Sequence, residues 1–329
     1  MVKYLLPLVL FCNPSFGQQN PQYSQYTRNQ IMMNPGATGV YDFVDVTLGG
    51  RMQWLGFDNA PKTSYLYFAA PVSALKNAKM KRTYGVIRRG NKSVKHPELK
   101  IGNGGHAVGG YLMVDQYGPF QQFKGMANYA YHLRVNRKYN VSFGVSAGLS
   151  NRSFIPGKAE VLSAMTNTGV VDATYNAYAA NQGSQNTMDL ESGIYFYGKE
   201  LFVGVSANQL TNDLVAFGNV DINFDPRRHY YVTAGYKFQA TREWTITPSF
   251  LVKYVKPAPV SFEVSGVFDY QERFWFGLSY RHQDAIVAML GATISDRFKC
   301  GYSFDFNINR FNTYSAGGHE LVLGFMLGR

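Results

Sequence analysis

Residue types able to do chemistry are few and poorly grouped in this chain of 329 residues. Of its six histidines, His132, His282 and His319 are the ones a barrel-rim hydrolase could use, each needing a serine and an acid or amide beside it. No serine in a strained strand-to-helix elbow accompanies them. There is no H-E-x-x-H, no Cys/His cluster and no phosphate-cradling glycine loop. His319 follows Gly317 and Gly318, where a structural hydrogen bond is the simpler use. The acids of TND (211–213) and FDP (224–226) have the makings of a loop cation site, but loop solvation accounts for them as well. The expectation is no enzyme, no metal and no cofactor. Arg51 and Gln53 carry more information. Alternation through VDVTLGGRMQW puts both on one face and Trp54 on the other. An arginine facing a closed interior must be paired or hydrated, so Arg51 is expected to tether something inside, or to line a pore.

The elements that would position these residues are strands. In FKCGYSFDFNI, Phe298, Cys300, Tyr302, Phe304, Phe306 and Ile308 share a face, and Lys299, Gly301, Ser303, Asp305 and Asn307 share the other. YNVSFGVSAGLS sets Val141, Phe143, Val145, Ala147 and Leu149 against Ser142, Gly144, Ser146, Gly148 and Ser150. A soluble sandwich also alternates, but it turns Lys, Glu and Thr to bulk water. Here the polar face holds small residues with isolated charges, such as Lys253, Glu263, Asp269, Arg281 and Asp305, which can pair across a lumen. The other face is aliphatic and aromatic, as lipid contact requires. Charged residues are 16% of the chain, below the roughly 25% of soluble domains. No run approaches 18 uninterrupted apolar residues, so no transmembrane helix is expected.

Residues 1–17, MVKYLLPLVLFCNPSFG, read as a secretory signal peptide, with Lys3 before an apolar core and Ser15 and Gly17 at cleavage spacing. Its removal would leave Cys300 as the one cysteine, hence no internal disulfide. The segment 18–43 is polar and Asn/Gln-rich and follows no strand or helix period. Residues 44–329 hold fourteen candidate strands, near 44–54, 63–71, 105–115, 121–134, 139–151, 187–197, 200–209, 229–238, 244–254, 260–270, 273–282, 285–295, 298–308 and 320–328. The expected fold is an all-β outer-membrane barrel of antiparallel strands, even in number as single-chain barrels require. The turns at 135–139, 198–200, 239–243, 271–273 and 295–297 fall on one side, periplasmic if the first strand starts there. The long connections 152–186 and 210–228 fall on the other. Trp54 suits an interfacial belt at one end, and Tyr139, Tyr197 and Tyr270 the belt at the other.

One connection breaks this parity. Residues 72–104 are long yet periplasmic, and carry Lys76, Lys79, Lys81, Arg82, Arg88, Arg89, Lys92, Lys95 and Lys100 against one acid, Glu98. Most of the net charge of +11 originates there. A basic loop attracts acidic partners; nucleic acid is a poor one in the periplasm.

Several long motifs resemble the PorP/SprF family of the type IX secretion system. They are NPQYSQYTRNQIMMNPGATG (20–39), RMQWLGFDNAPKTSYL (51–66), VGGYLMVDQYGPF (108–120), PSFLVKYVKPAPVSFEV (248–264), RFWFGLSYRHQDA (273–285) and CGYSFDF with GGHELVLGF (300–325). They follow the family's order, and the basic 76–100 loop departs from it by its length. The resemblance implies an outer-membrane barrel needed for export or surface anchoring of a large adhesin through its C-terminal sorting domain, as in gliding motility, and linked to the periplasmic ring of the apparatus. On that basis the upper loops, with Tyr175, Tyr178, Asp213, Phe217, Phe224 and Asp225, become a candidate partner platform. The 18–43 segment, with Tyr23, Tyr26, Met32 and Met33, becomes a lumen plug that Asn34–Pro35–Gly36 turns into strand one. The alternatives are a periplasmic tail for the segment and a passive porin for the barrel.

Overall fold

The computed structural model describes residues 21–77, 104–159, 175–176, 184–211, 216–217, 227–295, 297–313 and 315–328. Fourteen long strands build the wall: β1 Val44–Met52, β2 Lys62–Pro71, β3 Gly105–Tyr117, β4 Phe120–Arg134, β5 Tyr139–Phe154, β6 Ser184–Gly198 and β7 Leu201–Asn208, then β8 His229–Tyr236, β9 Trp244–Val255, β10 Ser261–Tyr270, β11 Phe274–Arg281, β12 Ala285–Ser295, β13 Phe298–Asn307 and β14 Gly318–Leu327. Each pairs antiparallel with its sequence neighbours, and β14 pairs with β1, so the sheet closes. Closure matters because an unpaired backbone group in hydrocarbon costs several kcal/mol. Two-residue strands at Ala216–Phe217 and Phe238–Gln239 extend β6 and β9 locally. Among the described residues no helix is long and apolar enough to cross a membrane; the chain crosses with strands.

Alternation explains the wall. Leu112, Val145, Leu149, Val264, Leu278 and Leu290 are exposed on the outside, while Ser142, Ser146, Ser150 and Ser303 are buried within. All fourteen expected strands are present, with ends shifted by three residues or fewer. The short turns 135–138, 199–200 and 271–273 share the end where β1 starts, and β5 and β7 finish at the other. In outer-membrane barrels the short-turn end is periplasmic. The 72–104 connection leaves this end through a short helix, α1 Val72–Asn77.

Outward aromatics gather near both ends. Trp244 packs on Tyr270 at 4.9 Å and Tyr139 on Phe196 at 5.2 Å at the periplasmic end. At the extracellular end His282 stacks on Phe262 at 4.5 Å, and His319 Nδ1 and the Tyr302 hydroxyl are 2.6 Å apart. Two belt assignments are corrected. Tyr197 faces the lumen, 1% exposed, because it follows the inward Tyr195 at the two-residue period. Trp54 lies beyond the end of β1, at φ 52°, where alternation has stopped. It lines a small inner cavity with Arg51 and Gln53 instead of facing lipid.

Candidate functional site in the lumen

Residues 21–43 run through the barrel from the extracellular mouth to the periplasmic end. The Gln22 amide reaches Glu263 near the start of β10, at 3.4 Å. Ser24 donates its backbone N–H to Glu320 at 2.7 Å and its hydroxyl to Asp305 at 2.6 Å. Halfway down, the Tyr26 hydroxyl meets Ser249 at 3.0 Å and accepts from Ser265 at 3.1 Å, and Asn29 donates to Tyr65 at 2.6 Å. Arg28 pairs with Asp269 at 2.5 Å and caps the Trp275 ring at 4.8 Å. At the periplasmic end His132 Nε2 is 2.8 Å from the Thr38 carbonyl, while its Nδ1 is 2.7 Å from the Tyr197 hydroxyl.

The segment starts at the mouth opposite the end where β1 begins. A cysteine at Pro21, in a cysteine-free background, is therefore expected to react with a membrane-impermeant maleimide on intact cells. One at the exposed Asp42 should react only after the outer membrane is opened. Equal protection of both positions would contradict the threading.

The turn at Asn34–Pro35–Gly36 explains why strands β5 to β7 carry glycines inward. The Asn34 side chain accepts from Gly36 N at 2.8 Å and donates to the carbonyls of Ile194 and Val205 at 3.1 and 3.3 Å. Pro35 and Gly36 lie so close to Gly144 that a Cβ there would overlap their backbone. A Cβ at Gly193 would overlap the Asn34 amide, and one at Gly204 would sit 2.8 Å from it. Glycine is what lets two backbones approach this closely. Ser206 fixes the turn further by donating to the Met33 carbonyl at 2.7 Å.

Two ion-pair clusters brace the lumen. Arg51 on β1 binds Asp305 at 2.7 Å and Glu320 at 3.2 Å, and also donates to Ser24 Oγ. Arg281 on β11 binds Glu263 at 2.8 Å and Asp305 at 3.1 Å. This joins five strands to the segment, and Gln53 lies at the rim of the same cavity. On the opposite wall Lys124 binds Asp189 at 2.6 Å and Glu191 at 2.7 Å, with Tyr111 also donating to Glu191 at 2.8 Å. Between the clusters lies an apolar core. Tyr23, Tyr26, Ile31, Met32 and Met33 of the segment pack on Tyr65, Tyr67, Tyr111, Met113, Met126 and Leu251 of the wall. Withdrawing the segment would bare this surface to water, at about 25 cal/mol per Å².

The remaining sequence candidates are placed as follows. Of the three histidines, His132 stands inside the lumen and His282 and His319 on the outer face. The run GVSAG (144–148), not singled out from sequence, has nucleophile-elbow spacing but lies within β5, with Ser146 buried in the lumen. Tyr175 packs on Phe154 at 6.3 Å, next to Phe120. Phe217 pairs with Asn186 through its backbone. Tyr178, Asp213, Phe224, Asp225 and the bases Lys79, Lys81, Arg82, Arg88, Arg89, Lys92, Lys95 and Lys100 lie outside the described residues, as does the 1–17 leader. Lys76 falls in α1. Glu320, the Lys124 cluster and the glycine notch were not singled out from sequence. The signal for them was charge or glycine at inward strand positions.

The model of one family, described as "Type IX secretion system membrane protein PorP/SprF", matches residues 15–325. No curated protein matches the chain. Among solved structures it is similar to the Ralstonia pickettii toluene transporter TbuX, at 10% identity over 90% of this chain and 92% of that one, with a TM-score of 0.47. The Pseudomonas putida toluene transporter TodX matches at 10% identity over 90% and 92%, TM-score 0.44. The Acinetobacter baumannii outer membrane protein Omp33 matches at 9% identity over 88% and 100%, TM-score 0.43. Likeness of this degree carries no argument about cargo.

Proposed function

Since the chain belongs to the PorP/SprF family of type IX secretion membrane proteins and is an outer-membrane β-barrel, we propose that it works by binding protein and neither conducts solutes nor catalyses a reaction. It serves export or surface anchoring of a large adhesin of the gliding type, engaging the adhesin's C-terminal sorting domain at its extracellular loops. Its periplasmic face, with the basic loop, meets the secretion ring. The observation that carries this reading is the filled lumen: residues 21–43 are hydrogen-bonded and packed into the wall along its length. A passive porin needs an aqueous channel where this barrel holds an apolar core.

The reading is tested in cells lacking the gene. The adhesin should vanish from the surface and appear in the medium or periplasm, and the intact gene should restore it. Unchanged surface adhesin together with reduced uptake of small solutes would favour the porin.

A further inference from the structure

At the extracellular end, where β7 finishes and β8 begins, one sector of the outer face carries charge. Strands β8 and β9 pair as far as His229 and Val255, both buried inward. The next residue on each side, Arg228 and Lys256, is exposed, and by the two-residue period each returns to the lipid side. Neighbouring strands lie about 5 Å apart, so the two cations face one another across the ladder. Directly below them Tyr230 and Tyr254 are cross-strand partners, each 42% exposed, with ring centroids 6.2 Å apart. Val232 opposite Val252, then Phe250, continue this column toward the middle of the membrane.

Like charges opposite one another on a sheet are destabilising. Among the described residues neither cation is in an ion pair. Arg51, Lys124 and Arg281 differ, since each is paired with acids in the lumen. Tyrosines of an outer-membrane barrel gather at the membrane interface, so a charge just above the Tyr230–Tyr254 pair stands at the height of the lipid headgroups. A guanidinium presents two parallel N–H donors to a phosphate, and an ammonium adds three more donors.

We propose that Arg228 and Lys256 bind the phosphate of a glycolipid of the extracellular leaflet, with its sugar against Tyr230 and Tyr254 and an acyl chain along the Val232–Val252 column. An acidic protein segment would meet the two charges but leave the apolar column below them uncovered. A phosphorylated lipid covers both.

The test uses the full-length protein in detergent, titrated with diphosphoryl lipid A and, in parallel, with the same lipid stripped of its phosphates. Native mass spectrometry reads the lipid retained. Saturable retention of the phosphorylated lipid is expected. Arg228→Gln together with Lys256→Gln should weaken it by about tenfold or more, as loss of charge-assisted hydrogen bonds does, and Lys256→Arg alone should preserve it. Arg137→Gln with Lys138→Gln removes as much charge from exposed positions of the periplasmic turn and should change little. Full retention by the first double variant, an equal loss in the periplasmic one, or equal retention of the stripped lipid would each overturn the proposal. So would displacement of the lipid by an equal concentration of inorganic phosphate. If the first double variant keeps its lipid but loses a co-purifying protein, the patch belongs to that protein and the proposal falls.

Discussion

Arg51→Ala is expected to destabilise the folded barrel by about 3–5 kcal/mol, the usual result of removing one partner from a buried ion pair. Arg51 is 3% exposed, and its guanidinium neutralises Glu320 and shares Asp305 with Arg281. Without it Glu320 keeps only backbone donors, from Ser24 and Gln25 at 2.7 and 3.4 Å. The residual acid sits in a water-poor interior against the upper end of the segment. Urea unfolding in lipid vesicles would measure the loss. Removing the charge it serves as well, in Arg51→Met with Glu320→Gln, should recover much of the stability, because the penalty comes from the uncompensated acid. A loss below about 1 kcal/mol, typical of exposed pairs, would mean that the cluster is hydrated and does not brace the lumen.

The second large effect is expected at Gly144. A side chain there overlaps the backbone of Pro35 and Gly36, and neither can turn aside as a flexible side chain could. Gly144→Val should therefore drive the Asn34–Pro35–Gly36 turn out of its notch. The freed segment should become susceptible to protease in detergent. Planar bilayers, in which the native protein is expected to be silent, should show conductance. Gly50→Ala is the matched control, since a Cβ at Gly50 meets nothing within 4 Å. A silent, protease-resistant Gly144→Val barrel would show that the turn is held less closely than its contacts imply.

These two sites differ in how far the sequence foretold them. The wall was legible because lipid on one side and a crowded lumen on the other impose strict alternation, seen in β5 and β13 alike. Arg51 was legible for the same reason, as a charge at an inward position of β1. Its partner Glu320 was not, since an acid within GGHELVLGF looks like any polar residue of a strand. The notch was hidden more deeply. Gly144, Gly193 and Gly204 fit the pattern of small lumen residues, and only the path of the segment shows that they make room for backbone. That path depends on long-range contacts such as Gln22 with Glu263, which no local period encodes. Trp54 and Tyr197 were misplaced for local reasons. The strand period stops at Met52 in one case, and in the other a tyrosine beside a short turn points inward to His132.

The central claim is that the barrel binds protein and that its lumen is not a passage. It is tested most directly by affinity purification of the tagged protein from gently solubilised outer membranes, with mass spectrometry of what accompanies it. The expected result is a large surface adhesin, or components of the periplasmic ring, at near-stoichiometric amounts. A monodisperse barrel alone, under conditions that keep a known outer-membrane complex intact, would contradict it.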